Sequence, residues 1–397
     1  MMTHDEIVAP ETLEEATAQL AERARRGSTV AFIGGGTELG YGRTPERVDT
    51  LFRTERLSRV LDYAPADLTI TVEGGMTLGA LQATLAPERQ RLALDAPQAA
   101  LATIGGLLAT NGFGPLRARF GSLRDLIVGI GIVRADGTLA HGGGKVVKNV
   151  AGFDLPKLMV GSLGTLGLIA SATFRLHPLP ERQQWYALAG QSAAGVRELV
   201  RALLERKLEA AAVIAQSNGD DYSPYVLFEG FGPSVDGQGA KLRELTRHLH
   251  GTEARPLEAR GDVDVPALDE AARLYGSLRL RISAPPAFLT SLDRDVLAPL
   301  RAAFGDCRVI LYPTLGTAFV GGFSHDADAA LAALQQARAV VESSGGNLVV
   351  RACEEPSLRE RFDPFGTPPP SFPIMKRLKE RFDPERRLNP GRFVGGL

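Results

Sequence analysis

Thr29-Val30-Ala31-Phe32-Ile33-Gly34-Gly35-Gly36-Thr37-Glu38-Leu39-Gly40 is the stretch whose reading decides the fold. Its first half is β-branched and aromatic, the composition of a strand. Its second half puts four glycines within seven residues of the strand's end. Such a loop has little side-chain bulk and free access to positive φ. Successive backbone N–H groups in it can point inward as an anion-binding concavity. A plain Gly-rich turn would look the same in isolation. We read the loop as a diphosphate cradle for one dinucleotide, with Gly34, Gly35, Gly36, Thr37, Glu38 and Gly40 as candidate binding residues.

Upstream, Thr12-Leu13-Glu14-Glu15 has the form of a capping box. Leu13, Ala16, Leu20 and Ala24 recur at helical spacing, and Gly27 ends that helix. Downstream, Leu51 to Thr54, Val60 to Ala64 and Leu68 to Val72 read as strands. Thr77 caps a helix from Leu78 to Leu85 that Pro87 stops, and Pro97 opens an irregular stretch. Thr103-Ile104-Gly105-Gly106-Leu107-Leu108-Ala109-Thr110-Asn111-Gly112 reads as a second loop entering a short helix. Its small residues suit either an anion site or close helix packing. Ile127 to Val133, Asp136-Gly137 and Thr138 to His141 form a hairpin. Lys145 and Lys148 follow three glycines and are candidates for contacting phosphate or a partner. The third loop, Gly161-Ser162-Leu163-Gly164-Thr165-Leu166-Gly167, has glycine at every third position and runs into a strand, Leu168 to Leu176.

After Pro180 glycine loops give way to helices (Gly195 to Leu208, Ala240 to Leu249, Pro266 to Tyr275, Ala327 to Glu342) and strands (Leu278 to Ile282, Val309 to Tyr312, Ala318 to Gly322, Leu348 to Val350). Gly219 to Pro224 and Gly251 to Val265 read as loops. The mixture predicts an α+β domain packed on one sheet. Pro368-Pro369-Pro370 is a stiff linker, Lys376 to Phe382 is helical, and Asn389-Pro390-Gly391-Arg392-Phe393 is a polar end that stays ordered only if it docks.

Composition narrows the function. A net charge of −1 argues against nucleic acid as a partner and against a polybasic membrane anchor. Hydrophobic residues at 44% make an ordinary globular chain. The two cysteines, Cys307 and Cys353, form no metal pair and cannot ligate an iron–sulfur cluster, so any such cluster sits on another chain. The polar start of the chain lacks the apolar core of a signal peptide, and no run of about 18 apolar residues occurs. A cytoplasmic protein without direct membrane insertion is expected. None of the three loops fits G-x-G-x-x-G, and Lys145 is followed by Val146, so the nicotinamide and P-loop patterns both fail. No H-E-x-x-H and no G-x-S-x-G occurs, so no metal site is expected.

Taken together, the loops resemble the vanillyl-alcohol oxidase or PCMH-type FAD-binding family. The matching pieces are Gly34-Gly35-Gly36-Thr37-x-x-Gly40, Ala102-Thr103-Ile104-Gly105-Gly106 with Asn111-Gly112, Gly152-Phe153-Asp154-Leu155 with the third loop, and Phe382-Asp383-Pro384 with Leu388-Asn389-Pro390-Gly391-Arg392. The resemblance implies an α+β chain: a split FAD domain of two α/β subdomains over 1–180, an α+β cap or substrate domain over 181–365, and a segment 366–397 returning to the FAD domain. Within the family the chain is most similar to the smaller FAD-binding subunit of glycolate oxidase, through Lys148 to Leu155 and Leu280-Arg281-Ile282-Ser283-Ala284-Pro285-Pro286. That similarity implies partners: a larger FAD-binding subunit, an iron–sulfur subunit and a small 2-hydroxy acid substrate. It implies oxidation of glycolate to glyoxylate, with electrons leaving toward a membrane acceptor and the complex peripheral to the inner membrane.

The resemblance also assigns residues. Gly164, Thr165, Gly167 and Leu168 are expected on the adenine–ribose side. Thr103, Ile104, Gly106 and Asn111, with Pro97, are expected along the pyrophosphate or isoalloxazine, and Asn389 reaches the flavin from the C-terminal segment. Thr37 stands where covalent flavoproteins of this type often carry histidine, so FAD is expected to be non-covalent. The His-rich metal motif of related dehydrogenases has no counterpart here. A substrate carboxylate calls for an arginine fork; Arg279, Arg281 and Arg351 sit on predicted strands where charge is unexpected, with Tyr312 and His325 as further candidates.

Overall fold

The computed structural model describes residues 3–43, 45, 47–144, 154–218, 221–258, 262–304 and 306–397. They fall into two units. One joins Met1–Leu179 with Thr367–Leu397, and the other is Pro180–Gly366.

The first unit holds two principal sheets. Glu6–Val8, Thr50–Arg53 and Val30–Ile33 form a parallel three-stranded sheet with Thr50–Arg53 in the middle. The helix Leu13–Arg26 covers it, burying Ala16 and Leu20 with Val30, Phe52 and Leu57. Thr12 Oγ1 accepts the Glu15 N–H at 3.1 Å as the sequence suggests. Glu15 in turn takes the N–H of Glu11 rather than that of Thr12. The second sheet is antiparallel, in the spatial order Val60–Ala64, Thr69–Glu73, Leu168–Arg175, Ile127–Val133, Leu139–Gly143.

The central strand Leu168–Arg175 is buried on both faces because both are covered. Leu168 and Ala170 join the core of the three-stranded sheet, whereas Ile169, Ala172 and Phe174 join the core under the helices Leu78–Leu85 and Ile104–Thr110. The third glycine loop therefore enters a strand shared by both cores.

The second unit is built on one antiparallel sheet of eight strands. Their order is Arg255–Pro256, Arg182–Ala187, Asp221–Gly230, Ala212–Asn218, Asp306–Tyr312, Thr317–Phe323, Leu278–Ser283, Asn347–Cys353. Four of these are the strands expected from the sequence. Gly219 to Pro224, expected as a loop, is already strand from Asp221, and residues 219 and 220 lie outside the described set. Pro224 misleads because it looks like a breaker, yet here it pairs with Ala215 while its carbonyl accepts the Leu188 N–H at 3.0 Å.

The helix expected from Ala240 starts at Gly232. Its first turns carry glycines, which individually disfavour helix. Pro233 in the first turn is tolerated. Gly239 permits contact with the sheet, since a Cβ there would stand 1.8 Å from Tyr186 Oη. Packing outweighs local propensity. The C-terminal helix likewise begins before Lys376, at Phe372.

The tail docks on the first unit. Val30 donates to the Arg387 carbonyl and Asn389 donates to the Val30 carbonyl, both at 2.8 Å, which extends the Val30–Ile33 strand. Behind this bridge lies a buried ion pair. Lys379 is 1% exposed and Asp383 0%. The Lys379 ammonium donates to Asp383 Oδ2 at 2.7 Å, the Thr165 carbonyl at 2.8 Å and the Leu388 carbonyl at 3.0 Å. Asp383 also accepts the backbone N–H groups of Arg387 and Leu388. Burial lowers the Lys379 pKa, and the Asp383 carboxylate opposes that shift.

Removing one partner of such a pair leaves a buried charge and costs about 3–5 kcal/mol. Lys379→Met and Asp383→Leu are each expected to lose stability of that order in urea unfolding. The double variant should lose less than the sum of the two. Additive losses would show that the pair is not coupled.

Candidate cofactor site

The first glycine loop, the second loop, the third loop and the docked tail meet around one cleft holding about 700 Å³ of empty space. From the first loop, Gly34, Gly35, Gly36, Thr37, Glu38 and Leu39 line it. Thr103, Gly105 and Gly106 line it from the second loop, Gly164, Gly167 and Leu168 from the third, and Asn389 and Arg392 from the tail.

The glycines of the first loop have separate reasons. A Cβ on Gly35 would stand 1.7 Å from the Leu101 carbonyl, so the loop lies directly against the second one. Gly36 has φ +74°, where a side chain strains the backbone. Packing thus consumes part of the bareness that the sequence suggests is for a ligand. The N–H groups are a different matter. Those of Gly34, Gly35, Gly36 and Thr37 make no hydrogen bond to another described residue. Four free donors at a cleft wall suit a diphosphate.

The second loop differs. Ile104 N–H goes to the Met76 carbonyl at 2.8 Å, Gly105 N–H to Gly74 at 2.7 Å, and Gly106 N–H to Thr103 Oγ1 at 3.2 Å. This helix start has spent its donors, so its small residues serve close packing rather than an anion.

Asn389 is the most specific element of the tail. It is 1% exposed and adopts φ 41°. Its Nδ2 donates to the Leu163 carbonyl at 2.8 Å, while Oδ1 has no partner among the described residues. A Cβ on Gly164 would stand 2.4 Å from Asn389 Nδ2, which explains why glycine is needed there. A buried amide oxygen without a donor is costly unless a ligand supplies one. Arg392, which the sequence reading placed only within a motif, is a cleft residue. Its guanidinium donates to the carbonyls of Glu38 at 3.0 Å, Leu39 at 3.2 Å and Tyr41 at 3.1 Å, and burial lowers its pKa. By holding those carbonyls it fixes the turn that presents the free N–H groups.

Several expected residues lie elsewhere. Gly40 is exposed beyond the loop and Pro97 is half-buried outside the cleft. The Ile104 side chain points into the helix core. Asn111 caps the helix C-terminus at φ 50°. The Thr165 hydroxyl donates to the Ser162 carbonyl, and its own carbonyl receives Lys379. Thr54, Ala109, Thr110 and Ile169 line the cleft unforeseen, since nothing in their residue types marks them. Lys145, Lys148, Gly152 and Phe153 lie outside the described residues.

The candidate catalytic residues belong to the second unit. Leu278, Leu280 and Ile282 are buried, and Arg279 and Arg281 alternate with them on the opposite, half-buried face. Arg351 sits on the neighbouring strand, at a register shift opposite Arg279 and Leu280. Tyr312 is fully buried, with its hydroxyl donating to Asp269 at 2.7 Å, which removes it as a base open to substrate. His325 is exposed.

Residues 5–143 match the family model described as an FAD binding domain. They are an FAD-binding domain of the PCMH type. The fold of the whole chain is that of p-cresol methylhydroxylase, solved with substrate bound, at a TM-score of 0.74 and 15% identity over 97% of this chain and 88% of that one. The same holds for an alkyldihydroxyacetonephosphate synthase at a TM-score of 0.71 and 17% identity, covering 97% of this chain and 75% of that one. Among curated proteins, a D-lactate dehydrogenase of Archaeoglobus fulgidus is 27% identical over 98% of this chain and 91% of its own length. Glycolate oxidase subunit GlcD of Bacillus subtilis is 26% identical over 98% of this chain and 88% of its own length. Glycolate oxidase subunit GlcE of Escherichia coli is 38% identical over 122 residues, 30% of this chain and 35% of its own length.

FAD is the cofactor of this chain, and the cleft fits it. Its free N–H groups suit a diphosphate, and the orphaned Asn389 oxygen suits a ligand N–H or hydroxyl.

Gly36→Val is expected to abolish FAD binding, read as loss of flavin absorbance in purified protein. Circular dichroism should stay near that of the parent. Arg392→Gln is expected to weaken FAD about tenfold or more, as for a lost charge-assisted hydrogen bond. Retention of full flavin by both variants would move the diphosphate away from this loop.

Proposed function

We propose that this chain is the FAD-binding subunit of a glycolate dehydrogenase complex that oxidises glycolate to glyoxylate and passes electrons through an iron–sulfur partner toward a membrane acceptor. The observation that carries the reading is the cleft, where four free N–H groups face a tail anchored by Asn389 and Arg392. The substrate class, a 2-hydroxy acid, is supported by the similarity to D-lactate dehydrogenase and to both glycolate oxidase subunits. The assembly role is supported by the locally higher identity to GlcE.

FAD, once bound, supplies a two-electron acceptor. The chain's own residues do the remaining work in this reading. Gly34, Gly35, Gly36 and Thr37 neutralise the diphosphate through backbone N–H groups, without a covalent bond to the flavin from Thr37. Asn389 offers its side-chain oxygen to a donor on the cofactor. Arg279 and Arg281, with Arg351, hold the substrate carboxylate. Arg279 is the first choice, because its Nε is buried without a partner among the described residues. The division into an FAD domain over 1–180, a substrate domain over 181–365 and a returning tail over 366–397 belongs to the same reading.

A second reading is a self-sufficient FAD-dependent 2-hydroxy-acid dehydrogenase. It is favoured by similarity to a D-lactate dehydrogenase along 98% of the chain.

Dye reduction decides between them. Under the complex reading, purified FAD-loaded chain gives no turnover with glycolate or D-lactate, and copurified partners restore it. Turnover by the chain alone would establish the second reading. In whichever preparation is active, Arg279→Gln is expected to raise KM for the acid tenfold or more at unchanged flavin content. An unchanged KM would remove Arg279 from the substrate site.

A further inference from the structure

The third glycine loop has two sides. Leu163, Gly164 and Gly167 line the FAD cleft, while Gly161, Ser162, Thr165 and Leu166 line a second cavity in the same unit. That cavity has a volume of about 240 Å³, room for a small molecule and not for a drug-sized one. We propose that it is a binding site for a small carboxylic acid with an apolar body.

The walls carry both parts of the argument. Leu158, Leu166, Met375, Leu378 and Phe393 supply an apolar interior. The charged side chains among the lining residues are Arg124, Lys157 and Lys379. They are not equivalent. Lys379 spends its ammonium on three acceptors, and Lys157 is paired with Asp154 at 2.7 Å. Arg124 helps hold the Asp154 carboxylate below its ordinary range, yet makes no hydrogen bond to a described residue, so its fork is open to a second carboxylate. Ser162 adds the observation that points to an occupant. It is 4% exposed, and its Oγ has no hydrogen-bond partner among the described residues. A buried hydroxyl left unpaired is unfavourable, and a carboxylate or other acceptor in the cavity relieves it.

Position gives the site a consequence. The occupant and FAD press on opposite sides of one loop, whose Thr165 carbonyl is pinned by Lys379. Any effect of the acid on FAD affinity is then matched by an equal effect of FAD on acid affinity. The site does not depend on which hydroxy acid the enzyme oxidises.

The test titrates the FAD-loaded full chain with hexanoate, hexanol and acetate, followed by calorimetry and ligand-observed NMR. Hexanoate should bind saturably, with hexanol and acetate each at least tenfold weaker, because one lacks the charge and the other the body. Arg124→Gln should weaken hexanoate about tenfold, and Leu378→Trp, which fills the cavity, should abolish binding, both at unchanged flavin content. If Leu378→Trp does not fold, Arg124→Gln and the three-probe comparison on the parent still decide. No saturable hexanoate binding, equal binding of hexanol, or affinity untouched by the variants overturns the proposal. So does stoichiometric release of flavin by hexanoate, which would make the cavity part of the FAD cleft.

Discussion

The buried pair of Lys379 and Asp383 is the constraint on which the cofactor cleft depends. An ammonium and a carboxylate without solvent are tolerable only when every remaining hydrogen-bonding site is satisfied. Here it is. Lys379 has three acceptors, and Asp383 takes two backbone N–H groups besides the ammonium. The partners are as informative as the pair. One acceptor is Thr165 in the third glycine loop and another is Leu388, immediately before Asn389. A single charged group thus fixes loop and tail relative to each other. The unpaired Asn389 oxygen has a defined place at the cleft only because of that.

The three glycine loops look alike as sequence and do different things. In the first, some glycines accommodate neighbouring backbone while the N–H groups remain free. In the second, every N–H at the helix start is already used by Met76, Gly74 or Thr103. In the third, Gly164 makes room for the Asn389 amide. Bare backbone is therefore not equivalent to a phosphate site. What separates the cases is the hydrogen-bond account of each N–H, which depends on partners far away in the chain.

This also marks what could be read without a structure. The first glycine loop, the strand leading into it and the Asn389 tail were legible because each couples composition to a local backbone demand. Arg392 was visible as part of a motif, but its grip on Glu38, Leu39 and Tyr41 spans some 350 residues and leaves no local pattern. Lys379 lies in a stretch that the sequence marks only as helical, since its partners Thr165 and Leu388 are brought to it by the fold. The strands Arg182–Ala187, Ala212–Asn218 and Asp221–Gly230 were missed for the opposite reason. For Asp221–Gly230 the local signal, Pro224 above all, speaks for a loop, and sheet pairing overrides it.

The second unit shows how a fold can keep charge available at low cost. Alternation along Leu278–Ser283 commits one face to the helices and frees the other from hydrophobic packing. The arginines on that face are half-buried, and the Nε of both Arg279 and Arg281 is buried. Arg273 is held differently, with its guanidinium 4.1 Å from the Phe319 ring centre and a bond to Tyr312 that turns this part of the sheet into closed structure. Phe319 stands directly opposite Arg281 in the ladder. The closed cluster and the candidate carboxylate fork are thus adjacent. Rigidity from Asp269, Arg273 and Tyr312 is what a neighbouring arginine needs if it is to present a fork in one orientation, because a preorganised side chain loses less entropy when it binds. Asp269 is itself held by burial above the ordinary carboxylate range, with Arg273 opposing the shift. The network is sealed, and it lies beside arginines that are only candidates for the substrate carboxylate.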